Sequence, residues 1–275
     1  MKDMLNNTNE FTLKELYDAV DGFAPFKYSH MMIARGGYDN SGILIECHKD
    51  VKKVLFSLDL TEKVVNVAKR LKCDTIVTHH PVIYSPIKNL SIHNTGVNST
   101  TLAVSNKINV ISAHLNLDVT KNGIDHNLAK ALGLVSNEKI FSPLEDGIGY
   151  GRQYLIAPVT FRDFIRGAKA KLNTKQVLYY GKLNDKVENV VSFCGGGAGI
   201  VNDMLEKNEK FSCDVVVTSD MAHRTIKYLV EAGKKILLIS HYCAENYGFK
   251  IFSDEMKEKL AGKAEVYFYQ DERFL

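Results

Sequence analysis

Lys72-Cys73-Asp74-Thr75-Ile76-Val77-Thr78-His79-His80 and Ser212-Cys213-Asp214-Val215-Val216-Val217-Thr218-Ser219-Asp220 are one phrase written twice. Each opens on Cys-Asp, runs through four mostly β-branched residues and ends on polar groups. β-branched side chains favour extended backbone, and a short, uniformly apolar run suits a strand covered on both faces. The likeness continues outward. Upstream, Val54-Leu55-Phe56-Ser57 has a counterpart in Val190-Val191-Ser192-Phe193. Downstream, Lys107-Ile108-Asn109-Val110-Ile111-Ser112 is followed by Ala113 and His114, and Lys235-Ile236-Leu237-Leu238-Ile239-Ser240 is followed at once by His241. Each half therefore reads strand, helix, Cys-Asp strand, helix, Ser-His strand, the order of α/β units on a largely parallel sheet. Chance explains any one pair; three pairs in one order favour an internal duplication.

The connecting segments agree. Thr61 stands as an N-cap before Glu62 to Leu71, which carries apolar residues at helical spacing. Met221 to Ala232 is helical in pattern, with Gly233 as its stop. Thr12-Leu13-Lys14-Glu15 is a capping box opening a helix near the N-terminus. The turn chemistry of Ser142-Pro143-Leu144-Glu145-Asp146-Gly147 places the boundary between halves within Gly133 to Gly151. The expected fold class is α/β: two related domains, 1–135 and 136–275, with the chain free to cross back at its C-terminus.

Bulk properties narrow the function. At 275 residues the chain suits two domains of ordinary size. A net charge of +3 argues against nucleic acid and against an acidic membrane surface. Met1 to Asn7 has no apolar core to act as a secretory signal, and no apolar run approaches the roughly 20 residues of a membrane span. Five scattered cysteines without a CxxC pair point to reduced thiols in a cytoplasm.

Ligands of parallel α/β sheets bind beyond the carboxyl ends of the strands, and the notable polar groups all fall there. His79 and His80 follow one strand, His114 and Asp118 a second, His241 and Glu245 a third; His-x-x-x-Asp in one half is echoed by His-x-x-x-Glu in the other. Adjacent imidazoles on extended backbone point to opposite sides and can serve two ions, and a carboxylate four residues beyond another histidine can lie between them. If the halves pack as pseudo-symmetric partners, both sets of strand ends face one cleft. Mixed imidazole and carboxylate donors suit zinc, iron or manganese better than calcium, and leave coordination positions for water. Each residue also has a plainer reading. His241 with Glu245 is equally a surface pair on a helical turn, Asp118 a cap for a helix beginning near Gly123, and His114 a brace; His30, His48, His93 and His126 read as structural, and Asp74 and Asp214 as turn residues. Gly195, Gly196 and Gly197, between strand and helix, are candidates for cradling a substrate phosphate on backbone N–H groups. They lack the lysine and the spacing of the known nucleotide motifs, so a tight turn needing positive φ is an equal alternative.

From about Tyr38 to Phe249 the chain resembles the GTP cyclohydrolase I type 2 family, also called the Ngg-one-interacting-factor-three-like family. The resemblance rests on Asp39-Asn40-Ser41-Gly42, on His79-His80-Pro81, on Ser112-Ala113-His114-Leu115-Asn116-Leu117-Asp118, on the glycine run and on His241-Tyr242-Cys243-Ala244-Glu245. It implies a dinuclear metal site in the cleft between two related α/β domains, two divalent ions as cofactors and a ring-shaped homohexamer. Carried over by motif, the metal ligands are His79, His80, Asp118, His241 and Glu245, with Glu245 bridging. The chain departs from the family where Asp125 replaces a common Asn and where Ser219 and Ser240 replace common glycines. The expected reaction is metal-assisted hydrolysis with His114 as proton shuttle. The family name adds GTP, attacked at purine C8 with ring opening and loss of formate. A non-catalytic metal-delivery protein and a ring-shaped interaction scaffold are the competing classes.

Overall fold

The computed structural model describes residues 10–91, 93–206 and 212–275. Met1 to Asn7, on which the reading of a missing secretory signal rests, lie outside the described residues. The chain forms two compact units, Met1–His114 with Ser253–Tyr269, and Leu115–Phe252 with Gln270–Leu275. In chain order the first unit holds α1 (Leu13–Phe23), α2 (Lys27–Ala34), β1 (Gly42–Ile45), β2 (Lys53–Ser57), α3 (Glu62–Leu71), β3 (Thr75–Thr78), α4 (Thr95–Ser105) and β4 (Asn109–Ser112). The second holds α5 (Leu115–Val119), α6 (Ile124–Ala131), β5 (Ser136–Glu145), β6 (Ile148–Thr160), α7 (Phe161–Lys171), β7 (Val177–Tyr180), β8 (Lys186–Ser192), α8 (Ala198–Glu206), β9 (Val215–Thr218), α9 (His223–Glu231) and β10 (Lys235–Ile239). Helix α10 (His241–Lys259) starts in the second unit and ends in the first, which β11 (Glu265–Phe268) completes.

The first sheet has the order β1-β4-β3-β2-β11, the second β5-β6-β8-β9-β10-β7. The duplicated phrases lie at equivalent places. β2, β3 and β4 run parallel with Val54, Thr75 and Asn109 side by side; β8, β9 and β10 run parallel with Val190, Val215 and Lys235 side by side. The repeated Cys-Asp explains part of the register. Asp74 Oδ2 accepts the N–H groups of Lys52 and Lys53 at 2.8 and 3.1 Å, and Asp214 Oδ2 those of Glu188 and Asn189 at 2.9 Å each. Each carboxylate thus clamps the start of the neighbouring strand, a structural task that fits the expectation of no catalytic one. Burial pushes the thiols of Cys73 and Cys213 up to about 12.

Thr12 and Glu15 close the expected capping box, with Thr12 N–H donating to Glu15 at 2.8 Å and Glu15 N–H to Thr12 Oγ1 at 3.2 Å. Thr61 caps α3 by accepting from Val64 N–H at 3.3 Å, and α3 turns Val64, Val65 and Ala68 onto Leu55, Ile76 and Val110. In the second unit Val191, Val216 and Ile236 pack with Ile226 and Leu229 of α9. Each Val, Leu or Ile side chain among them, fully buried, contributes roughly 1.5–3 kcal/mol relative to exposure.

Two expectations need correction. The stretch read as an inter-domain turn is a β-hairpin inside the second unit: Ser142 pairs with Tyr150 and Pro143 with Gly149, and only Asp146-Gly147 turns, with Gly147 at φ +71°. A two-residue Asp-Gly loop suits a hairpin because glycine takes the positive φ of its second position at little cost. The units part after His114 and not at 135/136, because α5 and α6 lie against β6. Asp118 therefore sits in the second unit. Among the described residues no helix is long and apolar enough to cross a membrane.

Candidate functional site

In the first unit, three histidines come from the carboxyl ends of neighbouring parallel strands. His79 and His80 follow β3, and His114 follows β4 one residue later than its strand's end would give. The chain does not stay extended through His79-His80: both amides donate to Leu58 O, at 3.1 and 3.0 Å, and this bend brings the two rings together instead of sending them to opposite sides. Their centroids are 4.9 Å apart, and that of His114 lies 5.1 Å from His79 and 5.8 Å from His80. One nitrogen from each ring lies within 4.8 Å of the others, a grouping that could hold a metal ion.

Each ring is anchored through Nδ1. His79, fully buried, donates to Ala113 O at 2.8 Å; His80 to Asp59 Oδ1 at 2.6 Å; His114 to Asp39 Oδ1 at 2.8 Å. The partners are acceptors only, which assigns the proton to Nδ1 and the lone pair to Nε2. Histidines that ligate metals are held in this way, by an oxygen on the far nitrogen that fixes tautomer and ring plane. Asp39 also accepts from Ser29 Oγ and from Ser41 Oγ, the latter at 2.7 Å. Burial pushes its carboxyl up, but the hydrogen bonds of His114, Ser29 and Ser41 outweigh this and hold it below the usual carboxylate range.

In the second unit, His241 opens α10 and Glu245 lies one turn on, on the same helix face. His241 Nδ1 donates to Asp220 Oδ2 at 2.5 Å, while Nε2 stands 3.1 Å from Glu245 Oε2. With the Nδ1 proton given to Asp220, Nε2 and the carboxylate oxygen face each other lone pair to lone pair unless a proton or a cation lies between them. That is the fit expected of two ligands of one ion. Gly195 makes room for this carboxylate: its φ is +54°, and a Cβ there would meet Glu245 Oε1 at 2.4 Å. Asp118, on α5, accepts from Cys194 Sγ at 3.4 Å. Burial, then the charges of Asp118, Asp125 and Glu245, push the Cys194 thiol well up, so it stays a donor. Its own amide donates to Asp125 Oδ1 at 3.1 Å, and Gly151 N–H to Asp125 Oδ2 at 3.0 Å. Asp125 is fully buried beside Arg152, 3.1 Å from its Nε. Burial pushes the Asp125 carboxyl up to about 6, against the opposing pull of Arg152 and the two amides.

The proposed ligands are thus grouped as His79 and His80 on one unit and Asp118, His241 and Glu245 on the other, with His114 beside the first pair. Asp118 is not the cap of α6, which begins after Gly123 with no side-chain cap. Gly197 N–H is donated to Thr218 Oγ1 at 3.2 Å, and Gly195 O accepts from Ser219 N–H at 3.1 Å, so part of the glycine run serves the turn itself. His48 is held by Asp50 O and Lys107 O, and His126 by Glu138. The carboxylates Asp59 and Asp220 escaped the sequence reading. A signal existed: each ends one strand, and the imidazole it anchors ends the next, 21 residues later in both halves.

Two α/β units carry oxygen-anchored imidazoles just beyond their strands and buried carboxylates on the helices that follow, groups that could hold a metal ion. The chain belongs to the Duf34/NIF3 (NGG1p interacting factor 3) family, matched over residues 11–273. It is 28% identical over 258 residues to a "GTP cyclohydrolase 1 type 2 homolog" of Clostridium perfringens, covering 92% of this chain and 94% of that one. It is 26% identical to the NGG1-interacting factor 3 of Saccharomyces cerevisiae, covering 90% of each. A crystal structure of a Bacillus cereus protein related to NIF3 has the same fold, with a TM-score of 0.80 at 19% identity over 94% of this chain and 97% of that one.

Proposed function

We propose that the protein is a dinuclear metal-dependent hydrolase acting on GTP or a related nucleotide, with His79, His80, Asp118, His241 and Glu245 holding two divalent ions. The observation that carries this reading is the anchoring of His79, His80 and His241 through Nδ1 to oxygen, which presents Nε2 as a ligand. A second support is Gly195, whose missing side chain leaves room for the buried Glu245 carboxylate beside His241. Two divalent cations held there supply Lewis acidity, which acidifies water and stabilises negative charge growing on the substrate. The protein's own groups do the rest. Asp59 and Asp220 keep His80 and His241 in the ligating tautomer, Cys194 holds Asp118 through its thiol proton, and His114, steadied by Asp39, moves a proton at Nε2. Zinc, iron and manganese all suit this donor set. The nucleotide substrate rests on the names of relatives such as that of Clostridium perfringens.

A ring-shaped homohexamer belongs to the same proposal by family, and residence in a cytoplasm by the free state of Cys47, Cys73, Cys194, Cys213 and Cys243. The test is a nucleotide-hydrolysis screen of the metal-loaded protein with and without chelator, repeated on His114→Ala. Chelator-sensitive turnover, lost in His114→Ala with its metal retained, is expected. Metal that exchanges readily with no turnover of any nucleotide would replace the hydrolase with a metal-delivery protein.

A further inference from the structure

Four consecutive residues, Tyr38-Asp39-Asn40-Ser41, tie a second feature to the imidazole cluster of the first unit. Asp39 anchors His114 at Nδ1, and Ser41 Oγ accepts the His114 amide at 3.1 Å. Their neighbours hold the segment after Pro81: Asn40 Nδ2 donates to Ile83 O at 2.7 Å, and the Tyr38 hydroxyl donates to Tyr84 O. One short stretch thus sets the position of both His114 and Tyr84. The Tyr84 ring lies edge-on to Tyr38 at 4.7 Å and to His114 at 6.4 Å. Yet Tyr84 is 50% exposed and Tyr38 51%, although an aromatic ring gains most by burial. Tyr84 also lines a cavity of about 590 Å³, whose other walls include Pro81, Ile83, Ile87, Lys88 and Asn94. That volume falls within the ~300–1,000 Å³ of small-molecule sites.

A rigidly held, half-open aromatic ring beside imidazoles, on the wall of a cavity with partly apolar sides, is what a flat π-system needs. Resting on the reading of the imidazoles as a hydrolytic centre, we infer that Tyr84, braced by Tyr38, is the platform on which a planar heteroaromatic ring of the substrate, of the nucleobase type, stacks. Stacking places that ring next to His114 without any hydrogen bond to its edge. The platform therefore selects for a flat ring and tolerates different bases.

Stacking needs no metal, so it is tested apart from the centre. Calorimetric titrations with guanosine, and with inorganic triphosphate as the probe without a ring, are run on metal-loaded and metal-stripped protein. Tyr84→Ala is expected to weaken guanosine binding about 5–150-fold, the equivalent of ~1–3 kcal/mol per stacked base. Tyr84→Phe should bind guanosine like the parent protein, and triphosphate binding and metal content should not change in either variant. Equal guanosine binding by parent and Tyr84→Ala overturns the inference. So does an absence of binding by the parent protein to all of adenosine, guanosine, cytidine and uridine. Guanosine binding that depends on Tyr84 in a protein that takes up no metal leaves the platform standing and removes the metal centre instead.

Discussion

Replacing Gly195 by alanine should weaken metal binding and the fold together. The residue sits at φ +54°, where an L side chain costs about 1–2 kcal/mol. The added Cβ would stand 2.4 Å from Glu245 Oε1 and 3.3 Å from His241 Cε1 and Nε2. The backbone cannot withdraw cheaply, since Gly195 O accepts from Ser219 N–H at 3.1 Å and from Thr218 Oγ1 at 3.0 Å. The carboxylate must move, and with its side chain only 3% exposed it has little space to move into. Urea unfolding should show a loss of about 1–3 kcal/mol, and a zinc titration followed by calorimetry a loss of affinity of about 10–100-fold, the range for disturbed ligand support. Gly196→Ala is the control. No atom lies within 4 Å of its added Cβ and its φ is not positive, so stability should stay within about 0.5 kcal/mol and zinc affinity unchanged. Wild-type zinc affinity in Gly195→Ala, or equal damage from Gly196→Ala, would refute the reasoning.

Asp59→Asn and Asp220→Asn should each weaken metal binding by about 10–100-fold while leaving the melting temperature nearly unchanged, because both carboxylates are partly exposed and act on one imidazole each; unaltered affinity in both would show that the anchors are incidental. Asp125 governs a pH effect. Its folded pKa of about 6 lies above the ordinary 3.8, so the stability linked to its proton is complete below pH 3.8 and is lost as pH rises through 6. Wild type should therefore gain on Asp125→Asn, by about 1 kcal/mol, when unfolding is measured at pH 5 instead of pH 7; parallel stabilities at the two pH values would contradict this.

The parallel cores were legible because the Cys-Asp phrases carry both β-branched runs and the carboxylates that clamp their neighbours. The β5–β6 hairpin was not. No residue of β5 is fully buried and its apolar residues do not alternate, so Ser, Pro and Glu there, with the Gly of the turn, look like a linker. β11 was also hidden, since Glu265-Val266-Tyr267-Phe268 becomes a strand only by pairing with β2, some 200 positions earlier in the chain. The proposed ligands could be placed near strand ends because local order along the chain decides which residues stand just beyond a strand. The anchors Asp59 and Asp220 act across neighbouring strands, which a reading along the chain does not bring together. His79 and His80 illustrate the remaining limit: their shared acceptor, Leu58 O, is set by tertiary structure, and it turned an expected divergence of the rings into a close pair.

The central proposal is that the chain binds two divalent ions and that Glu245 is one of their ligands. Metal equivalents per chain, measured by elemental analysis after zinc saturation and desalting, test it most directly on wild type and on folded Glu245→Ala. Two equivalents in the wild type, with one or both gone from the variant, is the predicted result. Fewer than one equivalent in the wild type, or an undiminished count in Glu245→Ala, would contradict it.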